Sequence, residues 1–233
     1  MRQLGEPEVE RPRPLGGGGS VRPAAVVPAP AATSRAKRAL DIGLVLLVSP
    51  LVVPLGVVIA VLVMVSSRGS ILFGQERVGL GGRCFKMYKF RTMHREAEQL
   101  LAQDPKLWNE YVTNGFKLPA ELDRRVTKVG RFLRRSSLDE LPQVLNVLLG
   151  TMSLVGPRPV VPAEIDNYGD RRDIYLSVRP GVTGAWQVGG RSQIDYPERV
   201  DIDEQYVRDW SLGLDLRILA RTPKAVLTAR GAV

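Results

Sequence analysis

The sequence predicts an α+β fold, mostly helical. Its expected parts are an N-terminal re-entrant membrane helix–break–helix hairpin, a small β-hairpin and amphipathic interfacial helices. Three observations predict it. Ile42 to Val65 is an uncharged apolar run. Residues 71–93 place apolar and basic side chains in partial alternation around a Gly turn. The rest of the chain carries apolar residues at helical spacing among clusters of Arg and Lys.

Residues 1–34 are rich in Pro, Gly and Ala and show no helical or strand period. That composition predicts a disordered tail. It lacks the apolar stretch of a secretory signal. The next segment, 35–68, is expected to enter a membrane. About 24 residues of helix rise roughly 36 Å, enough to cross a bilayer; a buried core helix is the alternative reading. Arg35, Lys37 and Arg38 flank one end, and Arg68, Arg77 and Arg83 follow the other. Basic residues favour the cytoplasmic side, so both ends belong there. A hairpin satisfies that and a straight span does not, although proline also occurs in true spans. Ser49-Pro50, with Pro54 one turn later, marks the expected break. The Ser49 hydroxyl is placed to satisfy a carbonyl that proline frees.

Residues 69–233 are expected to form a basic cytoplasmic domain at the membrane surface. In the hairpin, Gly79-Leu80-Gly81-Gly82 reads as a turn between strands, since no helix pattern follows it. Residues 94–118 read as a polar helix and loop. Val129, Phe132 and Leu133 fall at helical spacing among Lys128, Arg131, Arg134 and Arg135. Near the C-terminus, Leu212, Leu214, Leu216, Ile218 and Leu219 alternate with Arg217, Arg221 and Lys224. That stretch suits either a helix lying on anionic lipid or an ordinary surface helix.

The net charge of +9 calls for an anionic partner. A single cysteine, Cys84, excludes an intrachain disulfide and a Cys-rich zinc site. A single histidine, His94, leaves carboxylates as the candidates for acid–base or nucleophilic work. No nucleic-acid-binding motif is present, so nucleic acid is not the expected partner.

Asp139 and Glu140 lie side by side before the apolar run of DELPQVLNVLLG. Two readings stand on local grounds. Ser137-x-x-Glu140 fits a capping box, with the acids favouring the helix dipole, but Pro142 lies past the first turn of such a helix and removes a hydrogen bond. Alternatively, the pair is a phosphoryl-transfer site. A carboxylate can attack phosphorus, a second can hold Mg²⁺ through oxygen, and nearby cations can neutralise phosphoryl oxygens. Lys89 and Arg91 on the predicted strand, Arg134, and Arg158 in the stiff GPRP loop are the candidate cations. Each also has a plain reading as a solvated surface charge.

Several long segments stand in order: KRALDIGLVLLVSPLVVPLG, QERVGLGGRCFKMYKFRTM, RVTKVGRFLRRSSLDELPQVLNVLLGTMSLVGPRP and RPGVTGAWQVGGRS. Over about residues 35–233 the chain resembles bacterial sugar transferases of the small monotopic polyprenyl-phosphate phosphoglycosyl transferase family. The resemblance implies that Asp139 attacks the β-phosphate of a UDP-sugar, releasing UMP and leaving a phospho-sugar on the enzyme. Polyprenyl phosphate then takes the phospho-sugar. It implies that Glu140, with Asp139, helps bind Mg²⁺, and that Lys89, Arg134 and Arg158 bind phosphate. Gln187 and Arg191 fall in the family's C-terminal motif, where nucleotide or sugar binding is expected. Ser49-Pro50 matches the family's helix break. The implied location is the cytoplasmic face of the bacterial cell membrane, on anionic lipid. Larger relatives carry several N-terminal spans and an extra domain. Arg124 stands where relatives often have Pro.

Overall fold

The computed structural model describes residues 26–113, 118, 123–189, 194 and 196–227. The chain starts with a single turn, α1 (Pro30–Thr33), and then the long helix α2 (Arg35–Ser66). The tail expected over 1–34 needs correction at its end. Ala31 is buried, Val26 and Ala29 pack on the core, and the Ala29 N–H donates to Ser177 O. Small Ala side chains let this segment lie close against the domain. Residues 1–25 lie outside the described residues.

The Ser34 side chain caps α2 by accepting from the Lys37 N–H. The helical backbone then runs through Ser49-Pro50 without interruption, so the expected break is not a gap in the helix. The reason is local. Pro50 deprives Leu46 O of its donor four residues on, and Ser49 Oγ donates to that carbonyl at 2.8 Å. The two limbs of α2 pack on the domain, and its middle does not. Val45 joins Met87, Val147 and Met152, while Ile59 and Val63 join Phe90 and Leu133. Between Val45 and Ile59 no residue is buried, and Leu46, Leu47, Val48, Leu51, Val53, Val57 and Val58 are exposed. By length and composition α2 is long and apolar enough to cross a membrane.

The β-hairpin forms as the alternation predicts. β1 (Leu72–Val78) pairs antiparallel with β2 (Cys84–Phe90), and Gly81 and Gly82 turn the chain with φ of 65° and 77°. Two short polar helices follow, α3 (Ala97–Gln103) and α4 (Pro105–Thr113). Then come α5 (Lys128–Ser136), a 3₁₀ turn over Leu138–Glu140, and α6 (Gln143–Leu149).

A second sheet was not legible in the sequence. β3 (Ser153–Val155) runs parallel to β4 (Gly181–Thr183). Three-residue strands are too short to show alternation. Between them lie a 3₁₀ stretch (Pro162–Arg171) and α7 (Arg172–Leu176). The chain continues through α8 (Ala185–Gly189), α9 (Tyr196–Arg208) and α10 (Leu212–Leu227). Ile218 of α10 is buried with Val155, Val178, Tyr206 and Val207, and Leu214 and Leu219 pack on them. Its apolar stripe therefore faces mainly inward, with Leu216 left exposed.

Candidate active site

The site is built where α5, the 3₁₀ turn and β2 meet. Thr127 caps α5 by accepting from the Gly130 N–H at 2.8 Å. Gly130 touches the chain just after β2: a Cβ there would meet Thr92 O at 2.0 Å. One turn later Arg134 Nε donates to Thr92 Oγ1 at 2.9 Å. The absent side chain at 130 thus fixes the position of Arg134. α5 ends at Ser137, which adopts a left-handed conformation (φ 56°) and makes no side-chain cap bond. The capping box is not formed. The positive φ turns the chain, and Pro142 then stands at the N-cap of α6.

This turn presents both acids. Asp139 is buried, with 8% of its surface exposed. Burial pushes its carboxyl up to about 6 from the ordinary 3.8. Lys89 and Arg134 oppose that rise and the Glu140 charge adds to it. Glu140 behaves differently. Burial raises its pKa, but Lys89 and Arg158 together hold it below the ordinary carboxylate value. Lys89 Nζ donates to Glu140 Oε1 at 2.6 Å. The two neighbours are therefore set apart: one carboxylate firmly ionised and paired, the other near neutrality of charge at mildly acidic pH.

Lys89, Glu140, Gln143, Arg158, Gly181 and Gln187 line one cleft. Arg158 is exposed, while Pro157 and Pro159 on either side are buried. Its loop is anchored by Arg77, which donates to Pro159 O at 3.0 Å. The Tyr175 hydroxyl adds a second tie by donating to Val78 O and accepting from the Val160 N–H. Among the described residues Arg158 has no ion-pair partner within 4 Å. Its loop reaches the cleft because two backbones cross without side chains: a Cβ on Gly181 would lie 2.1 Å from Gly156 N, and one on Gly156 would lie 2.5 Å from Arg179 O.

The structure thus gathers Asp139, Glu140, Lys89, Arg134, Arg158 and Gln187. It does not gather Arg91. That guanidinium donates to Ser67 O, Ser67 Oγ and Ser70 O, closing the C-terminal end of α2. Arg91 follows the last residue of β2 with its N–H still bonded to Ile71 O, and its side chain is held by the end of α2. Arg191 lies outside the described residues. Gln143, Asn146 and Arg77 were missed. Gln143 and Asn146 sit in the apolar run after the dyad, and a buried amide in such a run was the available signal. Arg124, the departure from the family pattern, is exposed.

A family model described as bacterial sugar transferase matches residues 32–229. The chain belongs to the bacterial sugar transferase family. The undecaprenyl-phosphate galactose phosphotransferase of Salmonella typhimurium is 49% identical over 168 residues, 70% of this chain and 35% of that protein. The exopolysaccharide production protein ExoY of Sinorhizobium fredii is 43% identical over 200 residues, 84% of this chain and 87% of that protein. The UDP-glucose:undecaprenyl-phosphate glucose-1-phosphate transferase of Caulobacter vibrioides is 41% identical over 222 residues, 91% of this chain and 77% of that protein. This sugar transferase chain thus spans about a third of the first relative and most of the other two.

Proposed function

We propose that the protein transfers a sugar 1-phosphate from a UDP-sugar to polyprenyl (undecaprenyl) phosphate, a membrane step of polysaccharide or glycoconjugate synthesis. One observation carries the reading: a buried carboxylate, Asp139, stands beside a paired one, Glu140, with Lys89, Arg134 and Arg158 converging on them. In the first step an Asp139 oxygen attacks the β-phosphorus. The bond from that phosphorus to the oxygen bridging the two phosphates breaks, and UMP leaves with the electron pair. In the second step an oxygen of polyprenyl phosphate attacks the same phosphorus and the Asp139 carboxylate departs. Lys89, Arg134 and Arg158 neutralise the phosphoryl oxygens throughout.

The donor set fits Mg²⁺. Asp139 and Glu140 offer hard oxygen ligands, and among the described residues no third Asp, Glu, His or Cys joins them. Mg²⁺ commonly takes one or two carboxylates and completes its shell from water and substrate phosphates. Bound there, it would neutralise diphosphate charge. Gln187 at the cleft is assigned to the nucleotide or the sugar.

The acceptor is a lipid, and the apolar surface suits that. We assign α2 a re-entrant course on the cytoplasmic face, supported by the packing of both its limbs on one domain. Leu145, Leu148 and Leu149 of α6 and Phe132 of α5 are exposed, with Lys128, Arg131 and Arg135 nearby. These would rest on anionic lipid, with the dyad turn between them at headgroup level.

The protein is incubated with Mg²⁺, polyprenyl phosphate and a panel of UDP-sugars, and UMP is measured. Release from one UDP-sugar is expected. No UMP from any donor would favour a basic scaffold or nucleic-acid-binding role and sink the proposal. For topology, cysteines introduced at residues 36 and 70 in a Cys84→Ser background should both label from the cytoplasmic side. Labelling from opposite sides rules out the re-entrant course.

A further inference from the structure

β2 has one edge paired with β1 and another facing α6. On the second edge a single side chain stands in for a strand. Asn146 Oδ1 accepts from the Tyr88 N–H at 3.0 Å, and Asn146 Nδ2 donates to Lys86 O at 2.7 Å. In a strand, residues two apart present their N–H and C=O groups on the same edge, so one carboxamide satisfies both. The amide is itself held. Its Nδ2 also donates to Thr151 Oγ1 at 3.2 Å, and that hydroxyl donates to Asn146 O. Asn146 is 1% exposed.

The clamp joins the two halves of the site: the strand that carries Lys89, one residue past Tyr88, and the helix that follows Glu140. A two-stranded hairpin is marginal on its own, and a lysine stem is flexible. Lys89 therefore reaches Glu140 at a fixed distance only if its strand is fixed. We propose that Asn146 is a positioning residue acting through Lys89, setting β2 against the dyad turn so that Nζ meets the donor diphosphate. This rests on Lys89 being a diphosphate binder.

The test is UDP affinity, measured by calorimetry with Mg²⁺ on the full chain in detergent micelles, with thermal unfolding alongside. Lys89→Met is expected to weaken UDP binding about tenfold or more, the loss of one charge-assisted contact. Asn146→Leu, an apolar isostere, should weaken it similarly; Asn146→Ala serves if the isostere does not fold. In the Lys89→Met background the Asn146 substitution should weaken binding no further. Two outcomes overturn the inference: Asn146 variants that melt earlier but bind UDP like wild type, or losses that add fully with Lys89→Met. Lys89→Met binding UDP like wild type overturns the reading of Lys89 itself, a separate failure.

Discussion

Asp139 has opposed demands on it. As a nucleophile it must be ionised, yet its burial favours the neutral acid. With a folded-state pKa near 6 against 3.8, the folded protein holds a proton more tightly than the unfolded chain between those values. Stability therefore falls as pH rises through that window, and above about 6 the ionised Asp139 costs on the order of 2–3 kcal/mol. Asp139→Asn should abolish UMP release and yet melt higher than wild type at pH 7.5 in EDTA. The gap in melting temperature should shrink as pH is lowered from 6 towards 4. A variant that releases UMP at the wild-type rate removes Asp139 as nucleophile. The residue types of the site were readable from SSLDELPQ, but the separation of the two pKa values was not. It depends on burial and on a lysine 50 residues upstream, which local sequence does not contain.

At the scale of elements, local pattern served where an element is long enough to repeat. The hairpin and α5 followed their alternation and helical spacing. The short β3 and β4, and the left-handed turn at Ser137, did not show. Ser137 has the residue type of a helix cap, and only tertiary packing makes it a turn instead. Gly130 is the element-scale weak point. A Cβ there would overlap a backbone carbonyl, which cannot rotate away like a flexible side chain. Gly130→Ala should force α5 off Thr92, lowering stability by about 1–3 kcal/mol and carrying Arg134 away from Asp139. The variant should therefore lose UMP-releasing activity beyond what its folded fraction explains. Full activity per folded molecule would show that α5 can shift without moving Arg134.

For the whole molecule, the charges flanking the apolar run were read as topological signals, but Lys37, like Arg77, is also internal structure. Lys37 Nζ lies 2.6 Å from Asp215 Oδ2, donates to Val155 O, and is 5% exposed. Asp215 also accepts from the Tyr206 hydroxyl and from Trp210 Nε1. One buried network thus joins the first limb of α2, β3 and α10, across 178 residues of sequence. No local pattern reveals such a pair, because each partner looks like an ordinary surface charge on its own helix. Breaking it from one side leaves a buried charge uncompensated, which typically costs 3–5 kcal/mol, whereas removing both charges is far milder. Lys37→Met should therefore lower the melting temperature in detergent micelles sharply, and adding Asp215→Asn should recover much of the loss. A neutral amide at 215 can accept from Trp210 Nε1 through its oxygen and donate through its nitrogen to the Tyr206 hydroxyl, which then donates to Val155 O. If Lys37→Met melts with wild type, the network does not hold α2 to the domain. If the double variant is worse than the single one, Asp215 stabilises the fold without its lysine. The expected order, wild type above the double variant above Lys37→Met, would show that α2 and α10 are fastened through one ion pair.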